Sequence, residues 1–307
     1  MMKRIVIVSI TLIFSLKGIT QKKVAITIDD VPNTILYNKE GNRCRLREQI
    51  DSMKLPVAIF INEHRLFDND SLDQNIHLLD NWVMDRNVIL GNHGYNHGML
   101  STEGLDSFKA DVIKGGVITA PLAYKQKKQV KYFRFPYNDL GADSTLHQQA
   151  VEFIKSQHYR IAPFTVHSDD WLVVQLYAYY KDHHMSADAA RIGKAFVEKT
   201  LSFFDYIEGI TSMEAGRQAS QIYLMHDNIL NADYFIELVK ALRQKGYSFI
   251  TLDAALKDPL YARKDYYMEK PGISWVYRWI KDKQQRQALI EKGPNTHAFE
   301  AELEKLK

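Results

Sequence analysis

Five short clusters of polar residues carry the side chains that could do chemistry. Thr27-Ile28-Asp29-Asp30 sets two carboxylates side by side directly after an apolar run. Neighbouring carboxylates repel unless a cation or an arginine relieves them. His93-Gly94-Tyr95-Asn96-His97 spaces two histidines four apart, so that both rings can share one face of a helical turn and point at one ion. Two neutral imidazoles and one carboxylate make a three-ligand site with positions left open for water. Arg134-Phe135-Pro136-Tyr137 supplies an arginine able to hold one Asp ionised and oriented, then a proline that fixes the turn. His167-Ser168-Asp169-Asp170-Trp171 is the fourth cluster. Ile222-Tyr223-Leu224-Met225-His226-Asp227 is the fifth, and its terminal histidine suits a general acid near neutral pH. Each cluster alone has a plain structural alternative: an Asp pair in a turn, a solvated histidine pair, a packed tryptophan, a hydrogen-bonded core histidine.

The elements between these clusters give them a common place. Val24–Ile28, Val57–Ile61, Val88–Leu90, Tyr132–Phe135, Arg160–Val166, Ile222–Met225 and Ser248–Leu252 read as buried strands. Helical patterns run over Leu46–Lys54, Leu72–Arg86, Asp106–Ile113, Thr145–Gln157, Ala187–Tyr206 and Ala232–Lys245. Asp143 and Asn231 are candidate N-caps and Gly246 a candidate C′ residue. Strands alternating with helices imply a parallel sheet. The polar clusters sit at C-terminal strand ends, where barrel enzymes place their active sites. The expected fold is therefore α/β, a distorted (β/α)7 barrel with a C-terminal extension, with an open doubly wound sheet as the second choice. Leu172–Met185, rich in tyrosine and histidine, reads as an enlarged loop. After Pro259 the alternation stops, and residues 261–307 carry Tyr261, Tyr266, Tyr267, Trp275, Tyr277 and Trp279 before a charged tail. The first expectation is that this segment packs on the outside of the barrel, and the second that some of its aromatics wall a sugar groove.

The 307 residues, 46% hydrophobic and 25% charged, suit a globular protein. Cys44 is the only cysteine, so no intrachain disulfide forms. Lys3 and Arg4 followed by the apolar run Ile5–Leu16 read as a secretory signal over residues 1–20. The run is shorter than the roughly 20 residues of a membrane span. Its removal takes Lys3, Arg4 and Lys17 and no acids, which brings the formal charge from +3 to neutrality. A neutral mature chain lacks the basic footprint of a nucleic-acid binder and the charge to hold an anionic membrane surface.

Over roughly residues 22–256 the five clusters, in this order, resemble the polysaccharide deacetylases of carbohydrate esterase family 4, the NodB-homology domains. The Asp-Asp, His-x-x-x-His and Arg-x-Pro-Tyr elements carry the resemblance together. Ala162–Val166, Asn231–Asp233 and Trp275–Trp279 are similar to features of a less characterised bacterial branch. The resemblance implies a secreted or periplasmic hydrolase that takes acetyl groups, N-acetyl before O-acetyl, from a carbohydrate. It divides the chain into a signal peptide (1–20), a deacetylase domain (21–260) and the extension (261–307). Asp30, His93 and His97 would bind one divalent ion, Zn2+ ahead of Co2+ or Ni2+. Asp29 would be the general base that activates water, with Arg134 orienting it. The backbone N–H of Tyr137 would stabilise the oxyanion. Trp171 and Leu224 would line the pocket for the acetyl methyl, and His226 would protonate the leaving group.

Three positions depart from the family pattern. Val31 stands where glycine commonly follows the Asp pair, and Val31 does not easily take a positive φ. Gly94 removes the hydroxyl that usually supports the metal loop. His167 stands where an aspartate that tunes the catalytic histidine is expected, so Asp169 or Asp170 would have to take that part. If neither reaches in, His226 should have a lowered pKa. Two competing readings follow. One is a non-haem Fe(II) oxygenase, which shares the two-His, one-carboxylate set but not the need for Asp29, Arg134 and His226. The other is a sugar-binding protein on the same fold that no longer turns over.

Overall fold

The computed structural model describes residues 21–270 and 272–306. The predicted signal peptide, residues 1–20, lies outside the described residues. Eight parallel strands form one sheet: β1 (Lys22–Val31), β2 (Val57–Ile61), β3 (Val88–Asn92), β4 (Val130–Phe133), β5 (Arg160–Ile161), β6 (Val166–His167), β7 (Gln221–His226) and β8 (Tyr247–Phe249). Their order is β5-β4-β3-β2-β1-β7-β6, with β8 also paired to β1.

The predicted strand Arg160–Val166 is two half-strands at opposite ends of that order. Ala162 N donates to Phe133 O on β4, and Thr165 N donates to Ile222 O on β7. Pro163 between them has no N–H to give. One short segment thus crosses from one edge of the sheet to the other and joins them, which makes the sheet a distorted barrel.

Residues alternate along each strand between two cores. Val24, Ile26, Ile28, Val57, Ile59, Ile61, Val88 and Leu90 face the surrounding helices. Ala25, Ala58, Phe60, Tyr132, Ala162, Phe164 and Ile222 pack together inside, closed below by Leu252 and Ala255. Continuing upward, the inward positions become Thr27 and Asp29, His93, Arg134, Leu224 and His226. Apolar filling below and polar side chains above put the chemistry at the C-terminal rim.

The helices follow the predicted pattern with local corrections. Asp143 caps the helix Ser144–Ser156 by accepting from Thr145 N and Leu146 N. Gly246, at φ 85°, follows the helix Ile229–Gln244 and its last cap Lys245. Asn231 is not an N-cap; Asn228 holds that place, three residues earlier. Leu172–Met185 is not a loop, for the helix Asp170–Asp182 covers most of it. Its buried residues Val173, Leu176, Tyr177 and Tyr180 have helical spacing, which the polar tyrosines and histidines between them obscure.

The segment beyond residue 260 is bonded to the barrel. Tyr267, Tyr277 and Trp279 are buried, while Tyr266 is exposed. Trp275 N donates to Phe164 O, and Ser274 Oγ donates to Thr165 O, so this segment satisfies carbonyls of the crossing segment. Among the described residues, no helix is long and apolar enough to cross a membrane.

Candidate active site

Asp29 and Asp30 are consecutive, yet both carboxylates face His93. Its Nε2 lies 3.7 Å from Asp29 Oδ2 and 3.9 Å from Asp30 Oδ1. A regular strand would send neighbouring side chains to opposite faces. Here Asp30 is left-handed, φ 61°, and the β1–β2 register shifts between Ile28 and Val31. The expected difficulty at Val31 does not arise, because Asp30 takes the positive φ and Val31 stays in the strand. Left-handed conformation at a non-glycine residue costs on the order of 1–3 kcal/mol. It recurs around this rim at His97, Tyr137 and Asp169.

His93 is buried at the end of β3, and its Nδ1 lies 2.8 Å from Arg134 O. A carbonyl only accepts, so the ring proton sits on Nδ1 and the Nε2 lone pair faces the carboxylates. His97 Nε2 lies 3.6 Å from Asp30 Oδ1. Burial lowers both histidines to about 4, so the rings are neutral near pH 7. Gly94, at φ 76°, carries no supporting hydroxyl; Asp111 replaces it. The Asp111 carboxylate accepts from Tyr95 N and Asn96 N, and a Cβ on Gly94 would lie 2.2 Å from its Oδ2.

Arg134 is 1% exposed, and every nitrogen of its guanidinium has an acceptor. Nη1 donates to Thr27 Oγ1 at 2.7 Å and Asp29 Oδ1 at 2.8 Å. Nε and Nη2 donate to Ala162 O and Pro163 O of the crossing segment. Its face lies 4.2 Å from the Phe60 ring centroid. Burial raises the pKa of Asp29, and Arg134 opposes that rise. Tyr137 follows at φ 55°, exposed, with its ring 4.6 Å from that of His97.

His226 pairs with Asp29 in the β1–β7 register. Its Nδ1 lies 2.8 Å from Asp170 Oδ1, and its own N–H donates to Asp170 Oδ2. Asn228 and Asn231 side chains also donate to Asp170. Burial works most strongly against the charged ring, but Asp170, together with Asp30 and Asp29, raises His226 to about 9. The lowered pKa considered for His226 is therefore not found, because its condition fails: Asp170 reaches in. His167 turns instead to Asp169, 2.8 Å away, which Lys199 also holds at 2.5 Å. Leu224 sits two residues before His226, against the inner core. Trp171 is 57% exposed on the first turn of its helix.

One site residue had no signal in the sequence. Arg65, in the 3-10 turn Glu63–Phe67, donates from Nη2 to Asp30 Oδ2 at 2.8 Å. Arg65 is the largest influence lowering the Asp30 pKa, against the opposing and larger effect of burial; the net result holds the carboxyl well below the usual range. Asp30 Oδ1 is left buried with no hydrogen-bond partner. The donor atoms of Asp30, His93 and His97 lie within 4.8 Å of one another. Two neutral imidazole nitrogens and an orphaned carboxylate oxygen, so spaced, fit a divalent first-row ion.

Neither a family model nor a curated protein sequence matches the chain. Solved structures do. A CE4 family pseudoenzyme from Bacillus anthracis is 15% identical, with 77% of this chain and 66% of that one covered and a TM-score of 0.51. A mutant pseudoenzyme of the CE4 family with restored enzymatic activity is 16% identical, covering 77% and 68%, TM-score 0.51. A peptidoglycan N-acetylglucosamine deacetylase, in complex with an N-oxidanyl benzamide, is 18% identical, covering 77% and 88%, TM-score 0.50. At these identities the likeness is one of fold: the chain has the barrel of the carbohydrate esterase family 4 structures.

Proposed function

We propose that this chain is a secreted, metal-dependent deacetylase of carbohydrate esterase family 4, acting on an acetylated sugar. The observation that carries the reading is the orphaned, buried Asp30 Oδ1 facing two neutral histidines, with a buried base on one side and a charged acid on the other. In this reading Asp30, His93 and His97 hold one divalent ion, Zn2+ first. Such an ion supplies Lewis acidity that polarises an acetyl carbonyl and makes hydroxide accessible near neutral pH.

The chain's own residues do the rest. Arg134 holds Asp29 through Oδ1, which leaves Oδ2 to take the proton of the attacking water. The raised pKa of Asp29 suits it to keep that proton. The Tyr137 N–H donates to the oxygen as charge develops, an interaction typically worth about 2.7–4 kcal/mol. Asp170 occupies His226 Nδ1, so Nε2 gives its proton to the leaving amine or alcohol. The new bond joins water oxygen to the acetyl carbon, the C–N or C–O bond breaks, and acetate leaves. Leu224 and Trp171 border the acetyl methyl. N-acetylhexosamine oligomers are the first class to test, given the deacetylase of N-acetylglucosamine among the similar structures.

A second reading, a sugar-binding protein without turnover, rests on Arg65, which already gives Asp30 a counter-charge. Elemental analysis and acetate release separate the two. The wild type is expected to carry one ion and to release acetate from acetylated oligosaccharides, faster with added Zn2+, Co2+ or Ni2+. The His93→Ala/His97→Ala variant should lose both. Full metal occupancy in that variant sinks the ligand assignment. A loaded wild type that releases no acetate from any acetylated sugar favours the binding reading.

A further inference from the structure

Arg65 touches a carboxylate that the proposed function makes a metal ligand, and it does so on the oxygen that faces away from the histidines. Asp30 Oδ2 accepts from Arg65 Nη2 at 2.8 Å, while Oδ1 lies 3.6 Å from His97 Nε2 and 3.9 Å from His93 Nε2. The two oxygens are thus assigned different partners. A free carboxylate can chelate an ion through both oxygens, whereas one whose second oxygen is held by a guanidinium offers a single donor.

The position of Arg65 is fixed on several sides. Its carbonyl accepts from Thr34 Oγ1 at 2.7 Å, and its N–H donates to Asn62 O. The preceding His64 N donates to Tyr95 O, which ties the turn to the loop between His93 and His97. Glu63, fully buried, accepts from Ile118 N and Thr119 N and anchors the start of the turn. These bonds fix the backbone of the turn, and from it the guanidinium, 30% exposed, reaches Asp30 through the Nη2–Oδ2 bond.

We propose that Arg65 is a positioning residue that makes Asp30 a one-oxygen ligand, and thereby sets how many positions around the ion stay open for water and substrate. The inference rests on the metal-site reading above. It adds a cost in affinity, because a guanidinium beside the site repels a dication. It adds a gain in openness, because a second bound oxygen would fill a position that the acetyl group needs.

The test uses the whole chain loaded with Co2+, whose visible absorption weakens as coordination number rises. Arg65→Met frees Asp30 Oδ2; Arg65→Lys keeps a cationic donor there. In Arg65→Met the absorption should weaken, and metal should bind about tenfold or more tighter in competition with a chromophoric chelator. Arg65→Lys should retain a spectrum near that of the wild type. Circular dichroism and thermal melting confirm that both variants are folded. An Arg65→Met spectrum identical to the wild type overturns the proposal, whatever the affinity. A wild type that binds no Co2+ instead overturns the metal-site reading beneath it, so the two failures are distinguishable.

Discussion

His226 reaches Asp170 through Nδ1, so the ring keeps a proton well above the usual histidine range, to about 9 against 6.5. A group raised on folding contributes stability in full below about 6.5 and loses it as pH climbs through about 9. In the proposed reaction the same protonated ring serves the leaving group, so Asp170 should hold the alkaline limb of turnover at higher pH than an unpaired imidazole would. Asp170→Asn removes the carboxylate and should bring that limb down by more than one pH unit, measured as a pH–rate profile on folded, metal-loaded protein. A limb that does not move would take the acid role from His226. At this scale the sequence displays residue types and spacing but not partners. Asp29, Asp30, His93, His97, Arg134 and His226 stand in polar clusters after apolar runs, and that contrast made them visible. Asp170 stood beside Asp169, and only the turn into the following helix decides which of the two faces His226. Arg65 stood in a polar turn with nothing around it to mark it, because the carboxylate it serves is 35 positions away.

The loop from His93 to His97 shows how an element can be supported by a residue of another. Asp111, from the helix Leu105–Lys114, accepts from two loop amides and occupies the space where a side chain on residue 94 would lie. Gly94→Ala would add strain at φ 76° and push against that carboxylate. It should cost about 1–3 kcal/mol in urea unfolding and weaken metal binding. Unchanged stability and affinity would mean that the loop has slack. The support of this loop thus comes from a carboxylate outside it, which no reading of positions 93–97 alone could reveal. The crossing segment teaches a related lesson. Arg160–Val166 has the apolar content of one strand, but Pro163 withholds an N–H, and its two halves bond different neighbours. Composition predicted that the segment is buried; it carried no information on which strand each half would find.

Across the whole molecule, the aromatic tail proves to be part of the barrel's support. Trp279 is 7% exposed, with Tyr261 against it at 5.6 Å, and Gly272 passes so near Tyr137 that a Cβ would lie 2.0 Å from its carbonyl oxygen. Trp279→Ala should cost about 3–5 kcal/mol. A urea midpoint equal to the wild type would show the tail to be a mere attachment. The barrel itself was legible from the alternation of apolar runs and helical patterns. The tail's packing on the outside of the barrel was the first expectation and is found, with Tyr277 and Trp279 in the outer core. Its bonds to the crossing segment were not legible, because aromatic residues without periodicity do not show which backbone groups they will reach. One consequence concerns when the barrel can close. The carbonyls of Phe164 and Thr165, at the crossing where the two edges of the sheet meet, receive their partners from Trp275 and Ser274, the latter 109 positions further along the chain. A nascent chain that has exposed the crossing but not yet Ser274 and Trp275 lacks these bonds, so the seam is finished well after its own residues are made.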